Sequence, residues 1–284
     1  MKKIIIFLLL GLFIVGCTAN DNMQNGTQTG TTGTTNTGQT NDIDDLSKSE
    51  RHQEWVQIDN NGKTINTWVV YPESDENSSV VLLIHENKGL TDWVRNIADK
   101  LAAEGYIVVA PDLLSGYSEN MQETSDFETE DAATKALYSI EQETITSDLM
   151  AVQDYAGGID ASNGKIAVVG FCWGGIQAFN FATQASDLDA VLVFYGTAPE
   201  DENVYDEIEA PVYGFYGGDD TRVNSTLGDT INYMEQNQKT FNYEIYNGAG
   251  HAFMRTGETS GASETEMQAR DRAWDKMLDI LENI

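Results

Sequence analysis

The run Lys165-Ile166-Ala167-Val168-Val169, then Gly170-Phe171-Cys172-Trp173-Gly174-Gly175, then Ile176 to Thr183 constrains the fold more than any other part of this 284-residue sequence. The first run reads as a buried strand and the last as a helix. The glycines between them mark a turn too sharp for side chains at its flanks. The residue at the apex of such a turn is pushed outward, and here it is a cysteine. It stands at a helix N-terminus, where free N–H groups and the helix dipole favour a thiolate over a thiol. The expectation is a nucleophilic Cys172, set against the commoner fate of a free cysteine as a small buried apolar residue.

Strand and helix signals alternate through the remainder. Trp55 to Ile58 and Ile65 to Tyr71 flank Asn60-Asn61-Gly62, the signature of a hairpin. Val80 to Ile84 is wholly apolar, as in a strand buried on both faces. Asp92 to Glu104 carries apolar residues at helical spacing and is closed by Gly105. Tyr106 to Ala110 reads as the next strand, residues 115–143 as an acidic loop and helix over the active face, and Ile145 to Tyr155 as a helix. Ala190 to Tyr195, Pro211 to Tyr216 and Phe241 to Ile245 read as strands, Ser225 to Gln236 and Glu264 to Leu281 as helices. This alternation predicts an α/β fold: a mostly parallel central sheet with helices on both faces.

The N-terminus stands apart. Met1-Lys2-Lys3 is basic, Ile4 to Val15 is apolar but too short to span a bilayer as a mature helix, and Ile14-Val15-Gly16-Cys17 follows. This resembles a bacterial lipoprotein signal, which implies removal of residues 1–16, lipidation of Cys17, and export to the outer side of a membrane. Residues 17–49 are rich in Asn, Thr, Gly and Gln and read as a flexible tether, with a typical span of roughly 30 Å. Residues 50–284 then form one domain. With Cys17 taken by lipid, Cys172 has no disulfide partner.

The formal charge is −30, from 16 Lys+Arg against 46 Asp+Glu; without Lys2 and Lys3 it is −32. Such a field disfavours nucleic acid and anionic headgroups, so membrane attachment is expected only through the lipid. The three histidines, His52, His85 and His251, lack metal-ligand spacing. No phosphate-cradling glycine motif is present, and no metal or cofactor is expected. A small-molecule substrate is, and the oligomeric state stays open with a monomer favoured.

The strand, Gly-x-Cys-x-Gly turn and helix resemble the nucleophile elbow of the α/β-hydrolases, with cysteine in place of serine. In that fold a nucleophile, an acid and a histidine follow in chain order, each after a strand. His251, in Asn247-Gly248-Ala249-Gly250-His251, is the one histidine downstream of Cys172. Asp219 and Asp220, after Tyr213 to Gly218, are both candidates for the acid that orients it. The backbone N–H of Trp173, next after the cysteine, is a candidate oxyanion donor.

Over about residues 75–260 the chain resembles the dienelactone hydrolase family. The resemblance rests on Ile84-His85-Glu86, Ala110-Pro111-Asp112-Leu113, the Gly170 to Gly175 elbow, Gly217-Gly218-Asp219-Asp220 and Gly250-His251-Ala252-Phe253-Met254-Arg255. It implies a triad of Cys172, Asp220 and His251, a glutamate, Glu86, that takes the thiol proton when substrate arrives, and Asn87 as the second oxyanion amide. It also implies that Arg255 binds a substrate carboxylate. A second anion anchor and a tyrosine are missing, because the family's Pro-Asp-Leu-Tyr is Pro111-Asp112-Leu113-Leu114 here, unless Lys88 or Arg95 compensates. The function expected is hydrolysis of an ester or lactone through an acyl-enzyme, of carboxymethylenebutenolidase type. The alternatives are a broad carboxylesterase or thioesterase, and a surface binding lipoprotein without catalysis.

Overall fold

Asn61 and Gly62 take positive φ angles, 55° and 90°, and so close the opening hairpin. The computed structural model describes residues 46–284; the signal peptide, Cys17 and most of the tether read from the sequence lie outside them. Strand β1 (Gln53–Asn60) pairs antiparallel with β2 (Lys63–Val70). There follow β3 (Ser78–Ile84), α1 (Asp92–Ala103), β4 (Ile107–Pro111), α2 (Glu130–Leu137), α3 (Gln142–Gly157), β5 (Ser162–Phe171) and α4 (Trp173–Ala182). The chain continues through β6 (Ala190–Phe194), β7 (Val212–Gly217), α5 (Thr221–Asn224), α6 (Leu227–Gln236), β8 (Phe241–Tyr246), α7 (Phe253–Thr256) and α8 (Glu264–Glu282). The sheet order is β1-β2-β4-β3-β5-β6-β7-β8, antiparallel at β1–β2–β4 and parallel from β4 onward.

Two cores follow from the period of two in the parallel strands. Val80, Leu82 and Ile84 of β3, with Ile166 and Val168 of β5, face a layer built on Leu149 of α3, Phe179 of α4 and Met234 of α6. Val81, Leu83, Ala167 and Val169 face the opposite layer, with Ile97 and Leu101 of α1 and Ala273 and Met277 of α8. Strands buried on both faces cannot tolerate polar residues at either parity, which is why their sequences are continuous apolar runs.

Three boundaries differ from the sequence expectations. Helix α4 starts at Trp173 rather than Ile176, because Gly174 and Gly175 are part of the helix and press against the neighbouring strand ends. The helix expected over Ser225–Gln236 is α6, which starts at Leu227, and a separate short helix, α5, precedes it. The hydroxyls of Ser225 and Thr226 donate to the carbonyls of Arg222 and Val223 and end α5 locally. The folded body also begins before residue 50: Leu46–Lys48 form a short 3-10 turn, and Ser49 Oγ donates to Asp99 of α1 at 2.5 Å. Among the described residues, no helix is long and apolar enough to cross a membrane.

The parallel arrangement sends the C-terminal ends of β3, β5, β6, β7 and β8 to one edge, where ligands bind in open α/β sheets. The residues singled out in the sequence follow those ends.

Candidate active site

The turn at Cys172 is possible only because of its glycines. A Cβ on Gly170 would lie 2.0 Å from the Gly174 carbonyl oxygen, and one on Gly174 would lie 2.4 Å from those of Ile84 and His85. Cys172 itself sits at φ 55°, ψ −112°, a backbone conformation that costs a non-glycine residue about 1–3 kcal/mol and aims its side chain off the end of β5. Strand β3 lies beside β5, with Ile84 in register with Gly170, so Glu86 and Asn87 emerge next to the thiol.

His251 Nε2 lies 3.0 Å from the Cys172 sulfur, and its Nδ1 lies 2.5 Å from Oδ2 of Asp220. The two aspartates left open by the sequence are distinguished by burial: Asp220 is 7 % exposed, whereas Asp219 points to solvent. Asp220 also accepts the Val223 N–H at 3.3 Å through Oδ1, so one carboxylate both holds the imidazole and caps α5. Asn224 Nδ2 braces the same turn by donating to Gly217 O at 2.8 Å.

Burial pushes the Cys172 thiol up to about 11, and the charge of Glu86 adds to the effect. Hydrogen bonds from the backbone N–H groups of Trp173 and Asn87, and the charge of Arg222, pull the other way. The expectation of a thiolate at the helix N-terminus is therefore corrected: desolvation beside a carboxylate outweighs the helix dipole, and the resting group is a thiol. The same hydrogen bonds bring the Trp173 and Asn87 amides together on the sulfur. Asn87 is fixed from α2, where Thr134 Oγ1 donates to its carbonyl at 2.9 Å and Glu130 pairs with Lys88 at 2.5 Å.

Arg255 lies at the site but is already engaged. Its Nε donates to Glu86 Oε2 at 2.7 Å, and both side chains are largely buried. Ala252, at φ 61°, turns the chain from His251 into α7 and so delivers Arg255 to that position. Neither cation suggested as a substitute anchor is free: Lys88 pairs with Glu130, and Arg95 pairs with Asp92 and lies over the Trp68 ring. His85 is structural. Burial drives its pKa down, its Nδ1 lies 2.7 Å from Glu86 O, Nε2 accepts the Leu113 N–H at 3.2 Å, and its ring stacks on Trp173.

Three site residues escaped the sequence. Tyr195, at φ 40°, meets the His251 ring edge-on at 5.1 Å and is 1 % exposed. Tyr138, at the end of α2, and Arg222, in α5, act electrostatically on each other, and each does so on Cys172. Only the adjacency of Tyr195 to the apolar run Ala190–Phe194, and of Arg222 to Asp220, hinted at them. Among the described residues no group of three His, Cys, Asp or Glu is placed to hold a metal ion.

The strand order, the elbow after β5 and the residues gathered at the strand ends define an α/β-hydrolase fold. Residues 65–284 match the Dienelactone hydrolase family, and the chain belongs to it. A protein of Saccharolobus solfataricus provisionally named carboxymethylenebutenolidase is 28% identical over 263 residues, covering 81% of this chain and 98% of its own. A Salmonella typhimurium protein with the same provisional name is 26% identical over 239 residues, covering 79% of this chain and 84% of its own. Among solved structures, a provisionally named dienelactone hydrolase from Klebsiella pneumoniae superposes with a TM-score of 0.72 at 20% identity, covering 82% of this chain and 99% of that one. A dienelactone hydrolase-like promiscuous phosphotriesterase from metagenomic libraries gives 0.69 at 20% identity, with coverage of 82% and 98%.

Proposed function

We propose that the protein is a cysteine-dependent hydrolase of ester or lactone bonds, of carboxymethylenebutenolidase type, acting through an acyl-enzyme. The observation that carries this reading is the unbroken line from the Cys172 sulfur through His251 to Asp220. A thiol with a pKa near 11 is a weak nucleophile at neutral pH, so its proton must leave as the new bond forms. His251 Nε2 accepts that proton while Asp220 holds the resulting imidazolium. Glu86, whose Oε1 is buried without a partner, is the second group able to take it.

The sulfur attacks the carbonyl carbon, and the carbonyl oxygen gathers the negative charge opposite the Trp173 and Asn87 amides. Collapse breaks the C–O bond, and the leaving alkoxide or enolate takes the proton from His251. Water then attacks the thioester, giving a proton to His251 as the C–S bond breaks, and that proton returns to sulfur. Family membership supports the bond class, and the positions of these groups support the roles.

Cys172→Ala tests the reading. Turnover of p-nitrophenyl acetate and of dienelactone should fall by about three orders of magnitude or more, and rapid quenching of the unaltered protein should trap one acyl group on Cys172. Undiminished activity in the variant would overturn it.

We also propose that the protein is exported and anchored by lipid on Cys17, with residues 17–49 as the tether. The basic start, the short apolar run and Ile14-Val15-Gly16-Cys17 support this. Cys17→Ser should move the protein from the membrane fraction to the supernatant and remove the acyl mass. Retention in the membrane fraction would contradict it.

A further inference from the structure

Strand β8 is the last in the sheet order, so one of its sides has no strand beside it. The Val212 N–H donates to Thr240 O at 3.0 Å, and the Gly218 N–H donates to Tyr246 O at 2.8 Å. In a parallel ladder this parity spends the backbone of Asn242 and Glu244 on β7. It turns the N–H and C=O groups of Phe241, Tyr243 and Ile245 outward. Among the described residues no backbone hydrogen bond reaches those outward groups. Exposed edges in native folds are commonly blunted by a proline, a lysine or a bulge. Strand β8, from Phe241 to Tyr246, has none of the three.

Apolar side chains face solvent along this edge. Tyr243 and Ile245 are 45 % and 41 % exposed, and Phe241 stacks on Tyr243 with ring centroids 5.5 Å apart. The segment Phe241-Asn242-Tyr243-Glu244-Ile245 is also matched about its own centre. In an antiparallel pairing of two copies about a dyad through Tyr243, Tyr243 meets Tyr243, Phe241 meets Ile245, and Asn242 meets Glu244. Aromatic and aromatic–β-branched pairs stabilise opposite strands, and no like charges stand face to face. The same dyad makes residues 241, 243 and 245 the hydrogen-bonded pairs, so each of their outward N–H and C=O groups finds a partner. A dyad through Glu244 would oppose two carboxylates, and one through Asn242 would set Ile245 against Lys239.

We propose that β8 is the interface of a two-fold symmetric dimer, in which a second copy of this chain continues the sheet in antiparallel register about Tyr243, in place of the monomer favoured from the sequence. One surface that matches itself is what an isologous interface requires. The occupant is a second copy rather than an unrelated strand, because the side-chain match follows from this sequence paired with itself. The inference stands apart from the hydrolase reading, although β8 leads directly into the loop 247–251 that carries His251. Each copy's formal charge of −30 opposes association, so the dimer should tighten as salt screens that repulsion.

Sedimentation velocity of the full chain carrying Cys17→Ser, which lipid cannot cluster, tests this from about 1 to about 100 µM protein. The dimer fraction should rise with concentration and, at fixed concentration, between about 0.15 M and about 0.5 M NaCl. Tyr243→Lys sets two ammonium groups opposite each other at the dyad. It should raise the dissociation constant about tenfold or more and leave the melting temperature of the monomer unchanged, since the side chain is exposed. Disulfide trapping reads the register, in copies that also carry Cys172→Ala so that the introduced thiols are the only ones. Asn242→Cys mixed with Glu244→Cys should give a mixed disulfide dimer, because these positions form a non-hydrogen-bonded pair with Cα atoms about 4.5 Å apart. Neither variant alone should link to itself. Trapping decides the matter should Tyr243→Lys unsettle the fold. A monomer at every concentration and salt overturns the interface. A dimer that Tyr243→Lys leaves intact overturns its placement on β8, and Asn242→Cys linking to itself overturns the register.

Discussion

Glu86 accepts a 2.7 Å hydrogen bond from Arg255 through Oε2, while its Oε1 is buried and has no partner. A carboxylate satisfied on one side only, next to a buried thiol, keeps its negative charge close to the sulfur. This is the second cause, after burial, of the high pKa of Cys172. Glu86→Gln removes the charge at nearly constant volume. Alkylation of Cys172 by iodoacetamide, followed by intact mass at about pH 8, should then run faster than in the unaltered protein. An equal rate would show that burial alone protonates the thiol.

The same shift links stability to pH. The folded state holds the thiol proton up to about pH 11, whereas the ordinary value is 9.0, so the folded chain binds this proton more tightly than the unfolded one. The stability this contributes is complete below about pH 9 and is lost as pH rises toward about pH 11. Denaturant midpoints of the unaltered protein and of Cys172→Ser should therefore converge over that window, the unaltered protein losing more. Parallel curves would argue against a shifted thiol.

Asp220 divides its two oxygens between His251 Nδ1 and the N–H of Val223. Asparagine has one acceptor oxygen and cannot serve both while also carrying the compensating charge. Under the proposed mechanism Asp220→Asn should lower kcat by ~10²–10⁴-fold, and the helix at residues 221–224 should lose protection in hydrogen exchange. Asp219→Asn, at an exposed side chain, should leave kcat close to that of the unaltered protein.

Close backbone approach at the elbow predicts a large asymmetry between glycines. Gly174→Ala would place a Cβ 2.4 Å from two carbonyl oxygens, of Ile84 and His85, and should destabilise by about 3 kcal/mol or fail to fold. Gly228→Ala, in α6 with nothing within 4 Å, should raise the melting temperature, since alanine favours helix by ~1 kcal/mol over glycine. Equal melting temperatures for the two variants would refute the crowding argument.

The strands of this fold were legible because each is a local pattern. Val80–Ile84 and Lys165–Val169 read as buried strands without knowledge of their neighbours, and the 115–143 segment was obscure because it holds only a short 3-10 turn and α2 in a polar context. The order of Cys172, Asp220 and His251 was likewise visible from strand ends and glycine-rich loops. Tyr138, Tyr195 and Arg222 were not, since their relation to the site runs through space between elements far apart in the chain.

The sequence by itself determined the α/β architecture, the elbow and the residue types gathered after β3, β5, β7 and β8, because strand period, helix spacing and glycine punctuation are properties of neighbouring residues. Tertiary structure alone decided that the thiol rests protonated, that Arg255 answers Glu86, and that Asp220 serves two partners. Those outcomes depend on desolvation and on distances between charges, and both arise only when the strand ends are brought to one edge of the sheet.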